Sequence, residues 1–171
     1  MIIETPSLIL LPGTEELLTC AIAGDDRLSA QLGFQVAGNW TEFGIGPLEY
    51  ALHRITEHPK EKGWWTYFPV HKADRLLIGS CGYKGPVTEE GIVEIGYEIT
   101  PGYRNKGLAI EIANGLIKHA FSFPEVELVQ AHTLAEENAS VHILKKCDFV
   151  KTAEINDPED GLIWKWQLPK K

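Results

Sequence analysis

Glu94-Ile95-Gly96-Tyr97-Glu98-Ile99-Thr100-Pro101-Gly102-Tyr103-Arg104-Asn105-Lys106-Gly107-Leu108-Ala109 joins two kinds of periodicity in sixteen residues. Up to Thr100 the period is two, the mark of a strand with two different faces. Pro101 and Gly102 end it. A basic loop follows, and then Ala109, Ile112, Ala113, Leu116, Ile117 and Ala120 repeat at the spacing of one buried helix face. The passage is therefore strand, basic glycine-containing loop, helix. The first N–H groups of a helix have no internal partner, and the macrodipole adds partial positive charge there. A phosphate or pyrophosphate is the natural occupant of such an end. Gly107 lets it approach the backbone, and Arg104 and Lys106 add charge.

Outward from this stretch the elements alternate. Upstream, Trp64–Val70, Leu76–Lys84 and Ile92–Thr100 read as three strands. The connections around Ala73-Asp74 and Pro86–Gly91 are short enough for antiparallel hairpins. Before them come a strand over Ser7–Leu11 and a helix capped by Thr14 that runs to about Ala23. A short helix over Asp26–Leu32 follows, then a loop over Phe34–Gly46. A further helix from Pro47 to near Pro59 carries the stripe Leu48, Leu52, Ile55. Downstream, Val126–Thr133 reads as a strand, Asn138–Cys147 as a helix, and Phe149–Glu154 and Leu162–Leu168 as closing strands. The sum is one mixed α/β domain over residues 1–171, with an antiparallel front half and a βαβ crossover behind.

Composition narrows the partners. With 171 residues, one domain is expected, and 44% hydrophobic residues can fill its core. Sixteen Lys and Arg against 24 Asp and Glu give a net charge of −8, which disfavours nucleic acid and suits a cationic or amine-bearing partner. Cys20, Cys81 and Cys147 offer no disulfide framework and no Cys-x-x-Cys pair, which points to the cytoplasm. The N-terminus lacks the basic region of a signal peptide, and no apolar run approaches the roughly 20 residues of a membrane span. The six histidines form no H-x-x-x-H pattern, so no metal is expected.

Three phosphate-binding patterns compete for the loop. A P-loop requires Lys and Ser/Thr where Leu108-Ala109 stands. A dinucleotide fold requires G-x-G-x-x-G early in a βαβ unit, and here no G-x-G occurs. The third pattern, R-x-x-G-x-A over Arg104 to Ala109, resembles the acyl-CoA pyrophosphate loop of the GNAT N-acetyltransferase superfamily. About 30 residues on, Asn138-Ala139-Ser140-Val141-His142-Ile143-Leu144-Lys145-Lys146-Cys147-Asp148-Phe149 is similar to that superfamily's N-x-A-S-x-x-x-x-x-K-x-G-F element, in particular that of its RimJ/RimL-like, ribosomal-protein-acetylating branch. Thr5-x-x-Leu8-x-Leu10 resembles the branch's first strand, T-x-R-L-x-L, with Ser7 in place of Arg. The Asn-x-Ala-Ser element is compressed to Asn138-Ala139-Ser140. Asp148 replaces the usual glycine, at a position expected to need φ > 0.

The resemblance implies a single GNAT domain whose central, mostly antiparallel twisted sheet splays two parallel strands, Ile92–Thr100 and Val126–Thr133, with helices flanking it. It implies acetyl-CoA as co-substrate. Tyr97, Ile99 and Thr100 would take the pantetheine arm, and Arg104, Asn105, Lys106, Gly107, Leu108 and Ala109 the pyrophosphate. Asn138 would cap its helix and bond the pantetheine. Glu94 is the candidate general base, set against a solvated strand carboxylate, with Glu98 next in line. Ser140 is either the acid that protonates the leaving thiolate or a capping hydroxyl. Trp40 and Trp64 fall where the acceptor pocket is built, and core packing is the other reading of each. Cys81 and Cys147 read as small buried hydrophobes. The acceptor is a small-molecule or peptide amine, and the chain could act as a monomer or homodimer. A non-catalytic acyl-CoA-binding or regulatory domain is the alternative.

Overall fold

The computed structural model describes all 171 residues. Strand β1 (Ile3–Glu4) and β2 (Leu8–Pro12) open the chain, followed by helices α1 (Glu15–Ala23) and α2 (Asp25–Leu32). Thr14 caps α1 by accepting from the Leu17 N–H, as its sequence position predicts. A two-residue strand β3 (Gln35–Val36) precedes α3 (Gly46–Glu57), and a 3-10 turn (Pro59–Glu61) precedes β4 (Thr66–His71). Then come β5 (Leu76–Leu77), β6 (Gly79–Tyr83), β7 (Ile92–Ile99), a 3-10 turn (Pro101–Tyr103) and α4 (Leu108–Phe121). Finally β8 (Leu128–Leu134), α5 (Ala139–Lys146), β9 (Val150–Asp157) and β10 (Gly161–Pro169) close the domain.

The main sheet runs β1-β2-β4-β6-β7-β8-β10-β9 and is antiparallel at every step except β7–β8. The fold is the expected mixed α/β domain with one parallel junction. Three local readings differ from expectation, the first being β1, an unexpected strand that pairs antiparallel with β2. The strand expected over Leu76–Lys84 is broken at Ile78 into β5 and β6, and β6 ends at Tyr83. The loop expected over Phe34–Gly46 contains β3, which pairs in parallel with β5 at Gln35↔Leu76 and Val36↔Leu77. Two-residue strands leave too little alternation to be seen in a sequence.

The sheet divides two cores. On one face, α4 and α5 cover Ile95, Val129 and Ala131 with Ile112, Ala113, Leu116, Val141 and Leu144. On the other, α1, α2 and α3 cover Phe68, Val70 and Leu77 with Leu18, Leu28, Leu48 and Ile55. That second core lies under the β2–β4 end of the sheet. The β7–β8 end of the same face carries Glu94, Glu98, Gln130 and His132.

Candidate active site

Strands β7 and β8 pair over only three residues each: Ile92↔Leu128, Val93↔Val129 and Glu94↔Gln130. Both continue beyond that point, β7 to Ile99 and β8 to Leu134, but each keeps only its outer neighbour. The strands therefore part and form a wedge. The Lys84 N–H donates to the Glu94 carbonyl and the Thr100 N–H to that of Ile78, which turns even-numbered β7 residues toward β6. The backbone groups of Tyr97 and Ile99 consequently face the wedge.

The loop after β7 leads to the start of α4. Asn105 and Gly107 both adopt the left-handed conformation, with φ of 60° and 77°. No side chain caps α4, and the first amide bonded within the helix is that of Glu111, to Gly107. The N–H groups of Leu108, Ala109 and Ile110 thus point outward from the helix end. A Cβ on Gly107 would find no atom within 4 Å, so the approach to these amides is open. The donors and open space fit an anionic ligand. Lys106 folds back over the Tyr103 ring, its Nζ 4.7 Å from the ring centroid. Arg104 points elsewhere: its Nε donates to the Ile99 carbonyl at 2.9 Å and its guanidinium pairs with Glu42. Because the Ile99 carbonyl faces the wedge, Arg104 belongs here to the wedge and to the loop around Glu42. That loop is tied down twice more, by Thr100 Oγ1 donating to the Gly38 carbonyl and by the Glu42 N–H donating to Glu98.

Glu94 is the centre of a polar cluster beside the last β7–β8 pair. Its Oε1 lies 2.7 Å from Lys84 Nζ and 3.0 Å from His132 Nδ1, and its Oε2 accepts from Gln130 Nε2 at 3.1 Å. Burial alone would raise its carboxyl pKa, but Lys84 and His132 outweigh burial and hold it below the ordinary value. At Glu98 the balance goes the other way. Burial pushes that carboxyl up, against the hydrogen bond from the Glu42 amide. Between the two carboxylates stands Gly96, where an added Cβ would meet only the Lys84 chain, at 3.8 Å.

Beyond β8, Asn138 Oδ1 accepts from the Val141 N–H at 3.1 Å and caps α5. Ser140 is therefore not the cap, and its hydroxyl has no protein hydrogen-bond partner. Asp148 follows α5 with φ of 64°, the left-handed position expected of it.

Trp40 and Trp64 are placed differently from the pocket reading. Trp40 is buried against Phe68, with its indole N–H donated to Asp25 at 2.9 Å. Trp64 is buried on the α4 side, against Tyr83 and Phe123. Both rings fill cores, because large aromatic area gains most where it is fully removed from water. Cys81 and Cys147 are buried, and burial raises the pKa of both thiols. Sequence reading missed Lys84, Gln130, His132 and Glu42. The alternation Val129-Gln130-Ala131-His132-Thr133 does place Gln130 and His132 on one face, but nothing local ties that face to Glu94. No group of three His, Cys, Asp or Glu side chains is placed to hold a metal ion.

The sequence profile of the acetyltransferase (GNAT) domain matches residues 18–150 of this chain. The chain belongs to the GNAT acetyltransferase family. An uncharacterized N-acetyltransferase of Bacillus subtilis, YjdG, is 27% identical over 158 residues, covering 90% of this chain and 94% of YjdG. Among solved structures, RimL, the ribosomal L7/L12 α-N-protein acetyltransferase in complex with coenzyme A, superposes with a TM-score of 0.73 at 13% identity, over 99% of this chain and 98% of RimL. The dodecameric spermidine N-acetyltransferase of Vibrio cholerae superposes at 0.67 and 15% identity, over 95% and 94%. As a member of this family the chain is an acyltransferase, and the wedge and α4 terminus are its candidate acyl-donor site. No helix is long and apolar enough to cross a membrane.

Proposed function

We propose that this GNAT domain is an acetyl-CoA-dependent N-acetyltransferase that acts on a primary amine by direct attack within a ternary complex. The observation that carries the reading is the three-residue pairing of β7 and β8, which opens a backbone-lined wedge leading to the uncapped start of α4. The pantetheine amides would bond Tyr97 and Ile99 along the wedge, with Thr100 and Asn138 at its edges. The pyrophosphate would lie on the amides from Gly107 to Ala109, flanked by Asn105 and Lys106. Arg104 would move from Ile99 to join it. An amine is mostly protonated near neutral pH and must lose a proton before attack, so the Glu94 cluster would receive that proton. The free hydroxyl of Ser140 would return one to the departing thiolate.

The acceptor is a peptide N-terminus or a small amine. A net charge of −8 and the carboxylates Glu42, Glu94 and Glu98 on the cleft face favour one that carries positive charge. A cytoplasmic setting, with a monomer or a homodimer as the working unit, fits three cysteines that pair with nothing. An acceptor screen tests the reading: the purified chain with acetyl-CoA, N-terminal peptides and polyamines, followed by free thiol release. One thiol should appear per acetylated amine. Binding of acetyl-CoA without thiol release across the panel would instead establish an acyl-CoA-binding domain, and absence of binding would remove the wedge from the account.

A further inference from the structure

We propose that His132 Nε2 is the atom that takes the proton from the acceptor amine, and that Glu94 is its positioning residue. The inference deepens the acetyltransfer reading above and rests on it. His132 lies on β8 two residues beyond Gln130, the last residue paired with β7. It shares the face of Glu94 and Gln130, so its ring stands where the strands part. Its Nδ1 is 3.0 Å from Glu94 Oε1, and its Nε2 has no protein hydrogen-bond partner. A carboxylate at Nδ1 fixes the tautomer that carries hydrogen there, which leaves the lone pair on Nε2. The side chain is 19% exposed, enough to meet a substrate from the cleft. On β7, two residues beyond Glu94, the bare Gly96 leaves room for the acceptor's carbon chain.

Glu94 is poorly suited to be the base itself. Its two oxygens already receive Lys84, His132 and Gln130. Those partners hold its pKa below that of an ordinary carboxylate, so it binds a proton weakly. The charged groups around His132 are Glu94 on β7, Lys84 after β6, and Lys165, which is paired with it across β10. Asp157 at the end of β9 adds a second negative charge, its own carboxyl held low by two backbone amides and, more weakly, by His132.

The ammonium of the acceptor gives one proton to Nε2, and the imidazolium formed is held by Glu94. The freed nitrogen lone pair forms the N–C bond to the thioester carbonyl carbon. The nitrogen sheds a second proton as the C–S bond breaks, its electron pair leaves on sulfur, and the sulfur takes up a proton. The products are the amide, the CoA thiol and one proton passed to solvent.

The test uses His132→Gln and Glu94→Gln with an acceptor found in the screen. Thiol release is followed against pH, and acetyl-CoA binding is followed by thermal shift. His132→Gln should lower kcat by about 10²-fold or more, abolish the acidic limb and leave acetyl-CoA affinity within about twofold. Glu94→Gln should cost less and keep an acidic limb, because it removes the residue that positions the ring and not the ring itself. Imidazole added to His132→Ala should restore part of the rate. An unchanged limb in His132→Gln, with its loss in Glu94→Gln, would make Glu94 the base and overturn the proposal. Nitrogen NMR of the His132 ring gives a readout that needs no acceptor. The neutral ring should carry hydrogen on Nδ1, and hydrogen on Nε2 would refute the assignment. A wild-type chain that releases no thiol with any amine would refute the acetyltransfer reading, and this step with it.

Discussion

Gly107 offers the sharpest test of the acyl-donor site, because an isosteric pair of substitutions there separates charge from shape. Its φ of 77° lies in the left-handed region, and a side chain would project into space with no atom within 4 Å. Gly107→Asn and Gly107→Asp thus share one cost, a left-handed residue worth up to about 1–2 kcal/mol. At roughly 2–4 °C per kcal/mol for a chain of this length, both should melt about 2–8 °C below the parent. Acetyl-CoA at about one hundred times its Kd adds about 2.7 kcal/mol to the stability of the parent, roughly 5–11 °C by the same conversion. In the Asp variant a carboxylate would stand about 4 Å from a pyrophosphate oxygen, which at a near-surface dielectric costs about 4 kcal/mol. That repulsion exceeds the whole binding gain. The expected result of a thermal-shift titration is a retained shift in Gly107→Asn and none in Gly107→Asp. Equal shifts in the two variants would refute the placement of an anion at the α4 terminus.

Two further outcomes follow from the geometry. Glu111 on α4 accepts from Thr5 Oγ1 at 2.5 Å and the Ser7 N–H at 2.6 Å. Burial alone would raise its pKa, but these bonds hold it below the ordinary 4.5. A depressed carboxyl stabilises the fold above pH 4.5 and loses that contribution as pH falls through its folded value, so Glu111→Gln should be less stable at neutral pH and show a flatter decline in acid, read by urea titration at several pH values. On α5, Asn138→Ala should cost about 1 kcal/mol in the same assay as its cap is lost, whereas Ser140→Ala should leave stability unchanged while slowing thiol release by about 10²-fold.

The left-handed Asp148 was legible through the family resemblance, where a glycine is usual, and the α4 stripe, the Thr14 cap and the hairpin rhythm of β4 to β7 were legible in the chain, because each rests on near neighbours. The loop from Arg104 to Ala109 was legible for the same reason: a helix start after a basic, glycine-bearing turn is a local event. The surroundings of Glu94 were not. Lys84 reaches it through a hairpin register, and Gln130 and His132 through a parallel crossover about 36 residues long. Those partners turn an ordinary strand glutamate into a carboxylate of lowered pKa. Trp40 and Trp64 show the same limit from the other side, since an aromatic in a sequence carries no sign of which face of a sheet will cover it. Short-range dihedral preferences and periodicity were enough to read most of the elements, and the basic turn into α4, from the chain. The resemblance implied that β7 and β8 splay, but the point of parting after Glu94 and the histidine that stands there emerge in the folded sheet, because strand register is set by the packing of the whole sheet against its helices.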